Sequence, residues 1–267
     1  MGSRNLLVRV ATAVVGLPVV GVFVFWQDSR GFTALCLLAA LLALVEYTGL
    51  TMPGRPLAER SGIVLLGCGL FLGLTLQPEL SLAWLLAAVM ASWLVLLPRA
   101  TDLPAAWTRL VSSGFGVIYV GGLLAALPLL HASMGPAWVA LTIAVTFGND
   151  TGAYFAGRAL GRHKLAPAIS PGKTIEGAVG GLAANLGVVF AARGLLLPSL
   201  TVRDCVMIGV PAAIVGPAGD LVESLLKRAA GAKDSGRLLP GHGGILDRID
   251  ALLFVGAYVF LYANYVR

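Results

Sequence analysis

Long apolar stretches, separated by short polar segments, dominate the chain and predict membrane-spanning helices. A helix needs about 20 mostly apolar residues to cross the hydrocarbon core of a bilayer. We predict nine such spans, near residues 6–26, 31–50, 61–77, 80–98, 111–131, 136–155, 174–197, 203–226 and 249–266. The pattern therefore predicts an all-α polytopic integral membrane protein with about nine transmembrane helices.

Composition supports a membrane protein, because 58% of the residues are hydrophobic, above the share typical of soluble domains. Cys36, Cys68 and Cys205 lie in apolar segments without paired spacing, so we expect neither a disulfide framework nor a zinc site. His242 has no second ligand at metal spacing; it could contact a phosphate or cap a glycine turn. The sequence contains no nucleic-acid-binding motif, so the net charge of +6 does not predict a nucleic-acid partner.

The distribution of lysine and arginine predicts the orientation of the chain. With the N-terminus in the cytoplasm, 15 of the 19 basic residues fall on the inner side. Loops on the cytoplasmic side of membrane proteins carry an excess of these residues. This orientation places the two polar loops, 156–173 and 227–248, together on the cytoplasmic face.

The chain divides into two regions by chemical content. Residues 1–135 are poor in polar groups, and we predict that they form a scaffold of helices that could also serve dimerisation. Glu46 is an exception, which we interpret as an interfacial anchor beside Tyr47, with a pore-facing or headgroup-facing role as the alternative. Residues 136–267 hold almost all the candidate chemistry and are the predicted catalytic region.

One polar stripe lies at the end of the eighth predicted span. Asp220, Glu223, Ser224 and Lys227 are spaced at i, i+3, i+4 and i+7, so in a helix they share one face. Charges next to lipid are costly and usually functional. The alternative is a simple i,i+4 ion pair between Glu223 and Lys227 on a solvated helix end.

A second polar segment precedes the last span. Gly243 and Gly244 permit backbone N–H groups to approach an anion closely. Asp247 and Asp250 follow at the start of the last helix, where carboxylates also favour the helix dipole. Because Mg²⁺ is typically held by one or two carboxylates plus substrate phosphates, Asp220 and Asp247 are the predicted metal ligands.

Two more motifs lie upstream. Asp150 follows an apolar run at the predicted cytoplasmic end of a span. Residues 170–177 contain Gly-Lys-Thr, but the first glycine of a P-loop is missing and no strand is predicted before it. Lys173, Thr174 and the helix start that follows still predict an anion site, and Glu176 is either a substrate contact or a helix cap.

These segments resemble the phosphatidate cytidylyltransferase (CDP-diacylglycerol synthase) family. The pattern S-x-x-K-R begins at Ser224, K-D stands at 233–234, and H-G-G-x-x-D-R-x-D runs from His242 to Asp250. The upstream segments DTGAYFAGR and SPGKTIEG are also similar to that family.

The resemblance implies that CTP and phosphatidic acid condense to CDP-diacylglycerol and pyrophosphate, by attack of the lipid phosphate on the α-phosphorus of CTP. It also implies Mg²⁺ dependence, in a two-metal site whose second ion is divalent or monovalent. A homodimer in the cytoplasmic (inner) membrane, with its active site facing the cytoplasm and surrounded by membrane lipids, is expected.

The predicted site has a catalytic group and a larger substrate-binding group. The catalytic residues are Asp220, Lys227, Asp247 and Arg248. The predicted substrate contacts are Asp150, Ser170, Lys173, Thr174, Glu176, Glu223, Ser224, Arg228, Lys233, Asp234, His242, Gly243, Gly244 and Asp250.

Three other functions are considered. A cytidylyltransferase for another lipid phosphate, such as an isoprenoid one, or a polyprenol kinase would need similar cations and carboxylates. A transporter or flippase would favour inverted repeats and polar residues spread through several spans, whereas the sequence shows no internal repeat and gathers its polar groups on one face.

Overall fold

The computed structural model describes residues 16, 18–26, 29–97, 102–236, 238 and 243–267. Short 3-10 or π segments lie at Pro78–Leu80, Val117–Gly122 and Tyr262–Val266. The long helices are α1 (Ser29–Thr51), α2 (Leu57–Leu76), α3 (Ser81–Leu96), α4 (Leu103–Gly116), α5 (Ala126–Met134), α6 (Pro136–Leu160), α7 (Ile175–Leu195), α8 (Val202–Ala229) and α9 (Leu246–Leu261).

Seven helical stretches within the described ranges are long and apolar enough to cross a membrane, which makes the chain a multi-pass membrane protein. About half of the predicted span 6–26 falls outside the described residues. Helix α6 has 25 residues but is not among the seven. The count of nine is therefore not confirmed, and the orientation stays a prediction. The seven stretches are Ser29–Thr51, Leu57–Leu76, Pro78–Leu96, Leu103–Met134, Ile175–Leu195, Val202–Ala229 and Leu246–Val266.

The expectation of an all-α protein needs one correction. Strand β1 (Lys164–Ala166) pairs antiparallel with strand β2 (Ser170–Thr174), with Lys164 opposite Thr174. Pro171 disfavours the helical conformation at the residue before it. Thr174 has the extended conformation of a helix N-cap, with φ −129° and ψ 156°. These local preferences produce a short hairpin inside a polar loop.

The chain folds into two compact units that do not follow the predicted division at residue 135. The N-terminal unit comprises the described residues up to Leu129 together with Ala229–Arg248. The C-terminal unit comprises Leu130–Arg228 and Ile249–Arg267. Residues 229–248, which we assigned to the catalytic region, thus fold with the N-terminal helices. The roles proposed for the two regions stay predictions.

The N-terminal unit has an apolar core between its helices, and polar groups in it find partners across helices. Tyr47 on α1 donates a hydrogen bond from its hydroxyl to the Ser112 carbonyl on α4 at 2.7 Å. This bond satisfies the polar end of a buried aromatic side chain. The buried core cluster consists of Met52, Ile63, Leu70, Ala88, Leu96 and Val117.

The C-terminal unit is built on close packing of α6 against α7. A β-carbon at Gly152 would lie 2.8 Å from the Gly180 carbonyl oxygen, so the helices approach at a distance that only glycine allows. Helix α8 continues through Pro211 and Pro217, each of which lacks a backbone N–H donor.

Candidate active site

A cavity of about 670 Å³ lies in the C-terminal unit, bounded by α6, the β1–β2 hairpin, the start of α7 and the second half of α8. Its volume falls in the range of small-molecule binding sites. Five of the predicted site residues line this cavity, namely Asp150, Ser170, Lys173, Thr174 and Asp220. The fold therefore brings predicted residues from three elements, α6, β2 and α8, which are up to 70 positions apart in the chain, to one cavity.

An ion pair lies in the wall of the cavity. The ammonium of Lys173 is 2.7 Å from the Oδ2 atom of Asp220, and it also donates to the Pro217 carbonyl at 3.2 Å. Ser224 donates to the Oδ1 atom of Asp220 at 3.2 Å, which confirms their common helix face. The side chains of Lys173 and Asp220 are 22% and 35% exposed. Partly solvated pairs contribute little to stability, so both groups can exchange partners when a ligand enters.

The first turn of α7 makes the same cavity favourable for anions. Thr174 is the N-cap, and its hydroxyl accepts a hydrogen bond from the Gly177 N–H at 3.1 Å. Gly177 and Ala178 line the cavity, so the positive end of the helix dipole faces it. Arg158 and Lys173 add cationic charge to the lining.

Farther along α8, Glu223 forms an i,i+4 ion pair with Lys227, which is the alternative that the sequence left open. Glu223 is fully buried, whereas Arg228 is exposed. Lys227 therefore has a structural partner as well as its predicted catalytic role. A buried carboxylate needs such a cation, because an uncompensated charge in this environment is costly.

Asp250 on α9 lies close to α8. A β-carbon at Gly219 would be 2.6 Å from the Asp250 carbonyl oxygen, which brings the two helices together beside Asp220. The Asp250 carboxyl is within electrostatic range of Asp220, Asp150 and Lys227. Three predicted carboxylates and one predicted cation thus share one neighbourhood of the C-terminal unit.

The other predicted residues lie in the N-terminal unit. Asp247 accepts hydrogen bonds on Oδ2 from the backbone N–H of Gly244 at 2.8 Å and from that of Ser235 at 2.9 Å. Gly243 has a φ of 78°, in the left-handed region that glycine adopts readily. The Gly244 N–H is thus engaged within the protein, and its contact with substrate stays a prediction. Lys233, Asp234 and Arg248 are exposed, and His242 lies outside the described residues.

The proposed metal ligands belong to different units, Asp220 to the C-terminal and Asp247 to the N-terminal one. Among the described residues, no group of three or more His, Cys, Asp or Glu side chains is arranged to hold a metal ion. A magnesium site completed by substrate phosphates needs only one or two protein carboxylates. The oxygen donors of Asp220 fit this requirement.

Glu176 contacts the protein rather than the cavity lining. Its carboxylate accepts from the backbone N–H of Arg162 at 3.1 Å and from that of His163 at 3.2 Å. The His163 ring nitrogen Nδ1 lies 2.6 Å from the same carboxylate. Glu176 therefore links the residues just after α6 to the first turn of α7. Thr174 is the residue that caps α7.

Three polar lining residues on α6 were not among the predicted site residues: Asn149, Tyr154 and Arg158. Arg158 donates from Nη1 to the Tyr154 hydroxyl at 2.9 Å. Asp150, Tyr154 and Arg158 are spaced at i, i+4 and i+8, a helical period that could have revealed them. Asn149 is only 3% exposed, and its Oδ1 has no hydrogen-bond partner among the described residues.

Comparison with known proteins identifies relatives over the whole chain. The model of the Cytidylyltransferase family matches residues 7–266. The chain is 36% identical to phosphatidate cytidylyltransferase of Brucella suis, over 97% of this chain and 93% of that protein. It is 47% identical to phosphatidate cytidylyltransferase of Staphylococcus haemolyticus over 46% of this chain and 47% of that protein. A 41% identity with an uncharacterized protein, YnbB, of Escherichia coli covers 52% of this chain and 46% of that protein.

Proposed function

Because the chain belongs to the Cytidylyltransferase family, we propose that it is a phosphatidate cytidylyltransferase, which converts CTP and phosphatidic acid to CDP-diacylglycerol and pyrophosphate. The similarity to the Brucella suis enzyme along nearly the whole of both chains carries this proposal. The cationic cavity that the predicted motif residues line supports it.

The chemistry joins two polyanions at the cavity. A phosphate oxygen of phosphatidic acid attacks the α-phosphorus of CTP, the new P–O bond forms, and the bond to the bridging oxygen breaks as pyrophosphate leaves with its electron pair. The nucleophile is already ionised, so no general base is required. Transfer of this kind depends mainly on positioning and electrostatic stabilisation. Lys173 and the start of α7 would reduce the repulsion between the two phosphates.

The cations are assigned to different phosphates in this proposal. Lys227 and Arg248 contact the phosphates of CTP, because each is close in sequence to a proposed metal ligand. Lys173 and Arg228 contact the lipid phosphate, or either of the two polyanions. Arginine offers a bidentate fork to phosphate, whereas lysine acts as a point charge.

Magnesium is the proposed cofactor, with Asp220 and Asp247 as ligands and with a second ion, divalent or monovalent, in the same site. When bound, it would neutralise charge on the triphosphate and on the departing pyrophosphate. Chelation with excess EDTA should abolish product formation, and added Mg²⁺ should restore it. Full activity in EDTA would contradict a metal requirement.

The active site is proposed to face the cytoplasm from the inner membrane. The hairpin loop contains Ala168, and the link between α7 and α8 contains Ser199. In a variant without native cysteines, Ser199→Cys should react with an impermeant thiol reagent in intact cells, whereas Ala168→Cys should react only after lysis. The reverse labelling would overturn the orientation. The proposed homodimer is tested by crosslinking in native membranes at limiting reagent.

The reaction is tested with purified protein in detergent, labelled CTP and Mg²⁺, with phosphatidic acid present or omitted. We expect a labelled liponucleotide that forms only with phosphatidic acid, together with one pyrophosphate per product. Product from an isoprenoid phosphate but not from phosphatidic acid would assign a different lipid substrate. Phosphorylation of a polyprenol would indicate a kinase, and lipid movement without nucleotide chemistry would indicate a transporter.

A further inference from the structure

Glu46 lies in α1, far along the chain from every motif described above. Its carboxylate nevertheless contacts the backbone just before Asp247. Its Oε1 atom accepts from the Ile245 N–H at 3.0 Å, and its Oε2 atom accepts from the Leu246 N–H at 2.9 Å. The Ser235 hydroxyl lies 3.0 Å from Oε2. A residue that merely anchors a helix at the membrane interface would not need three protein partners.

These contacts occur where α9 begins. The first N–H groups of a helix have no partner within the helix and carry partial positive charge. Glu46 supplies acceptors to two of them from a different helix. Asp247 supplies an acceptor to the Gly244 N–H, and the Asp247 N–H donates to Ser235 Oγ at 3.3 Å. Four consecutive backbone N–H groups, from 244 to 247, are therefore held by side chains.

The surrounding backbone leaves room for the Glu46 carboxylate only because two residues lack a side chain. A β-carbon at Gly236 would lie 2.5 Å from the Oε1 atom of Glu46. A β-carbon at Gly244 would overlap Oε2 of Glu46 and the Ser235 hydroxyl. The segment is thus shaped around this carboxylate on both sides.

We propose that Glu46 is a positioning residue for the reaction: it holds Ser235 and the backbone of Ile245 and Leu246, and so orients Asp247 and Arg248. This inference rests on the proposed function, because it assigns a purpose to residues that the reaction uses. Catalytic groups must be held within about 0.5 Å of their working geometry by supporting residues. The inference gives the apolar N-terminal helices an indirect part in catalysis, because they would position residues that the reaction uses.

The test is Glu46→Gln, which keeps the shape of the side chain but turns an amide NH₂ toward one of the two backbone N–H donors. We expect kcat to fall about tenfold or more. The Mg²⁺ concentration at half-maximal rate should rise at least about threefold, because Asp247 is less well held. Backbone amide hydrogen exchange in a peptide covering residues 243–250 should be faster than in the wild type. This measurement does not depend on catalytic activity.

Glu59→Gln is the matched control. Glu59 is a fully buried carboxylate in the same unit. It accepts two hydrogen bonds from the Arg55 guanidinium, from Nε to Oε2 and from Nη2 to Oε1, each at 2.9 Å. Its substitution should lower thermal stability but leave the Mg²⁺ midpoint and the exchange of residues 243–250 unchanged. If Glu46→Gln, like this control, leaves the Mg²⁺ midpoint and the exchange of residues 243–250 unchanged, Glu46 is only structural and the inference is wrong.

Gly236→Ala keeps the inference testable should Glu46→Gln not fold. The added methyl group pushes against the Glu46 carboxylate without removing its charge, so it should reproduce the lower kcat, the higher Mg²⁺ midpoint and the faster exchange. Wild-type values for a folded Gly236→Ala protein would overturn the inference. Failure of the proposed function would look different, because the wild-type protein itself would then form no liponucleotide, while the exchange measurement would still report on the Glu46 contacts.

Discussion

In the cavity of the C-terminal unit, Lys173 and Asp220 form an ion pair that remains partly open to solvent. In the N-terminal unit, the carboxylates of Glu46 and Asp247 are instead turned onto backbone N–H groups and onto Ser235. Lys173, Asp220 and Asp247 look alike in the sequence, as charged residues of motifs in an apolar chain, whereas Glu46 stands alone in an early span. The difference teaches that Lys173 and Asp220 are available to exchange partners with a ligand, whereas Glu46 and Asp247 hold the protein backbone in place.

The largest effect that this comparison predicts is for Asp220→Asn. As a proposed Mg²⁺ ligand, Asp220 would supply several kcal/mol of charge stabilisation, so kcat/KM should fall about 100-fold or more. The protein should remain extractable and folded, because Asp220 is partly exposed. The assay is product formation at the Mg²⁺ concentration that is ordinarily used for the wild type.

Asp102→Asn is the control for that substitution. Asp102 is an exposed N-cap of α4 and accepts from the Ala105 N–H at 3.3 Å. It should keep activity near that of the wild type. Near-normal turnover by Asp220→Asn at ordinary Mg²⁺ would instead place the reactive charges outside the cavity and reverse the comparison.

The next effect distinguishes the two substrates. Lys173→Ala should raise the KM for phosphatidic acid, and Lys227→Ala should raise the KM for CTP. A charge-assisted contact is worth about 1.5–3 kcal/mol, so each variant should lose roughly 10- to 100-fold in kcat/KM. The measurement is a pair of saturation curves for each variant.

Lys164→Ala serves as the control for these lysines, since Lys164 is an exposed hairpin residue that donates to the Pro171 carbonyl. It should leave both curves unchanged. If Lys173→Ala and Lys227→Ala shift the curve of the same substrate, or shift neither, the assignment of cations to phosphates is wrong while the reaction itself stands.

A smaller effect concerns Arg158, which sequence reasoning did not select. Its exposed guanidinium lines the cavity and donates to the Tyr154 hydroxyl. Because a solvated charge contributes less than a half-buried one, Arg158→Ala should lower kcat/KM by about tenfold or less. Arg162→Ala changes a nearby exposed arginine outside the lining and should have no effect. Equal losses in both variants would mean that overall surface charge, rather than the cavity, attracts the substrates.

Local patterns predicted much of this molecule. Apolar length located α1 to α3 and α7 to α9 to within a few residues. The helical spacing on α8 predicted that Asp220 and Ser224 share one face, and it offered the Lys227–Glu223 ion pair as the alternative interpretation. The same spacing would have revealed Tyr154 and Arg158 on α6. These features depend on residues within one or two turns of each other, which is the distance over which periodicity carries information.

The missed features depend on contacts between distant parts of the chain. Glu46 and Leu246 are 200 positions apart, and no local pattern relates a carboxylate in an early span to the start of the last helix. The hairpin was missed because its strands are only three and five residues long, too short to show alternation. The compact division that joins residues 229–248 to the N-terminal helices has the same origin, since it is set by tertiary packing.

The smallest predicted effect tests whether the start of α7 contributes structure or chemistry to the cavity. Thr174 is buried, and its hydroxyl caps α7 through the Gly177 N–H. Thr174→Ala should lower the free energy of unfolding by about 1 kcal/mol, the usual cost of losing an N-cap. Thr174→Ser keeps the hydroxyl and should retain most of that stability. Thermal unfolding in detergent measures the difference, and the KM for each substrate should change less than about threefold in either variant, since a contribution from the helix dipole persists without the cap. Thr174→Ala could instead lose activity as severely as Lys173→Ala while unfolding at the wild-type temperature. The hydroxyl would then contact substrate directly. In that case the cavity of the C-terminal unit would itself contain both groups that react and groups that hold the backbone, and the contrast between the two units would not stand.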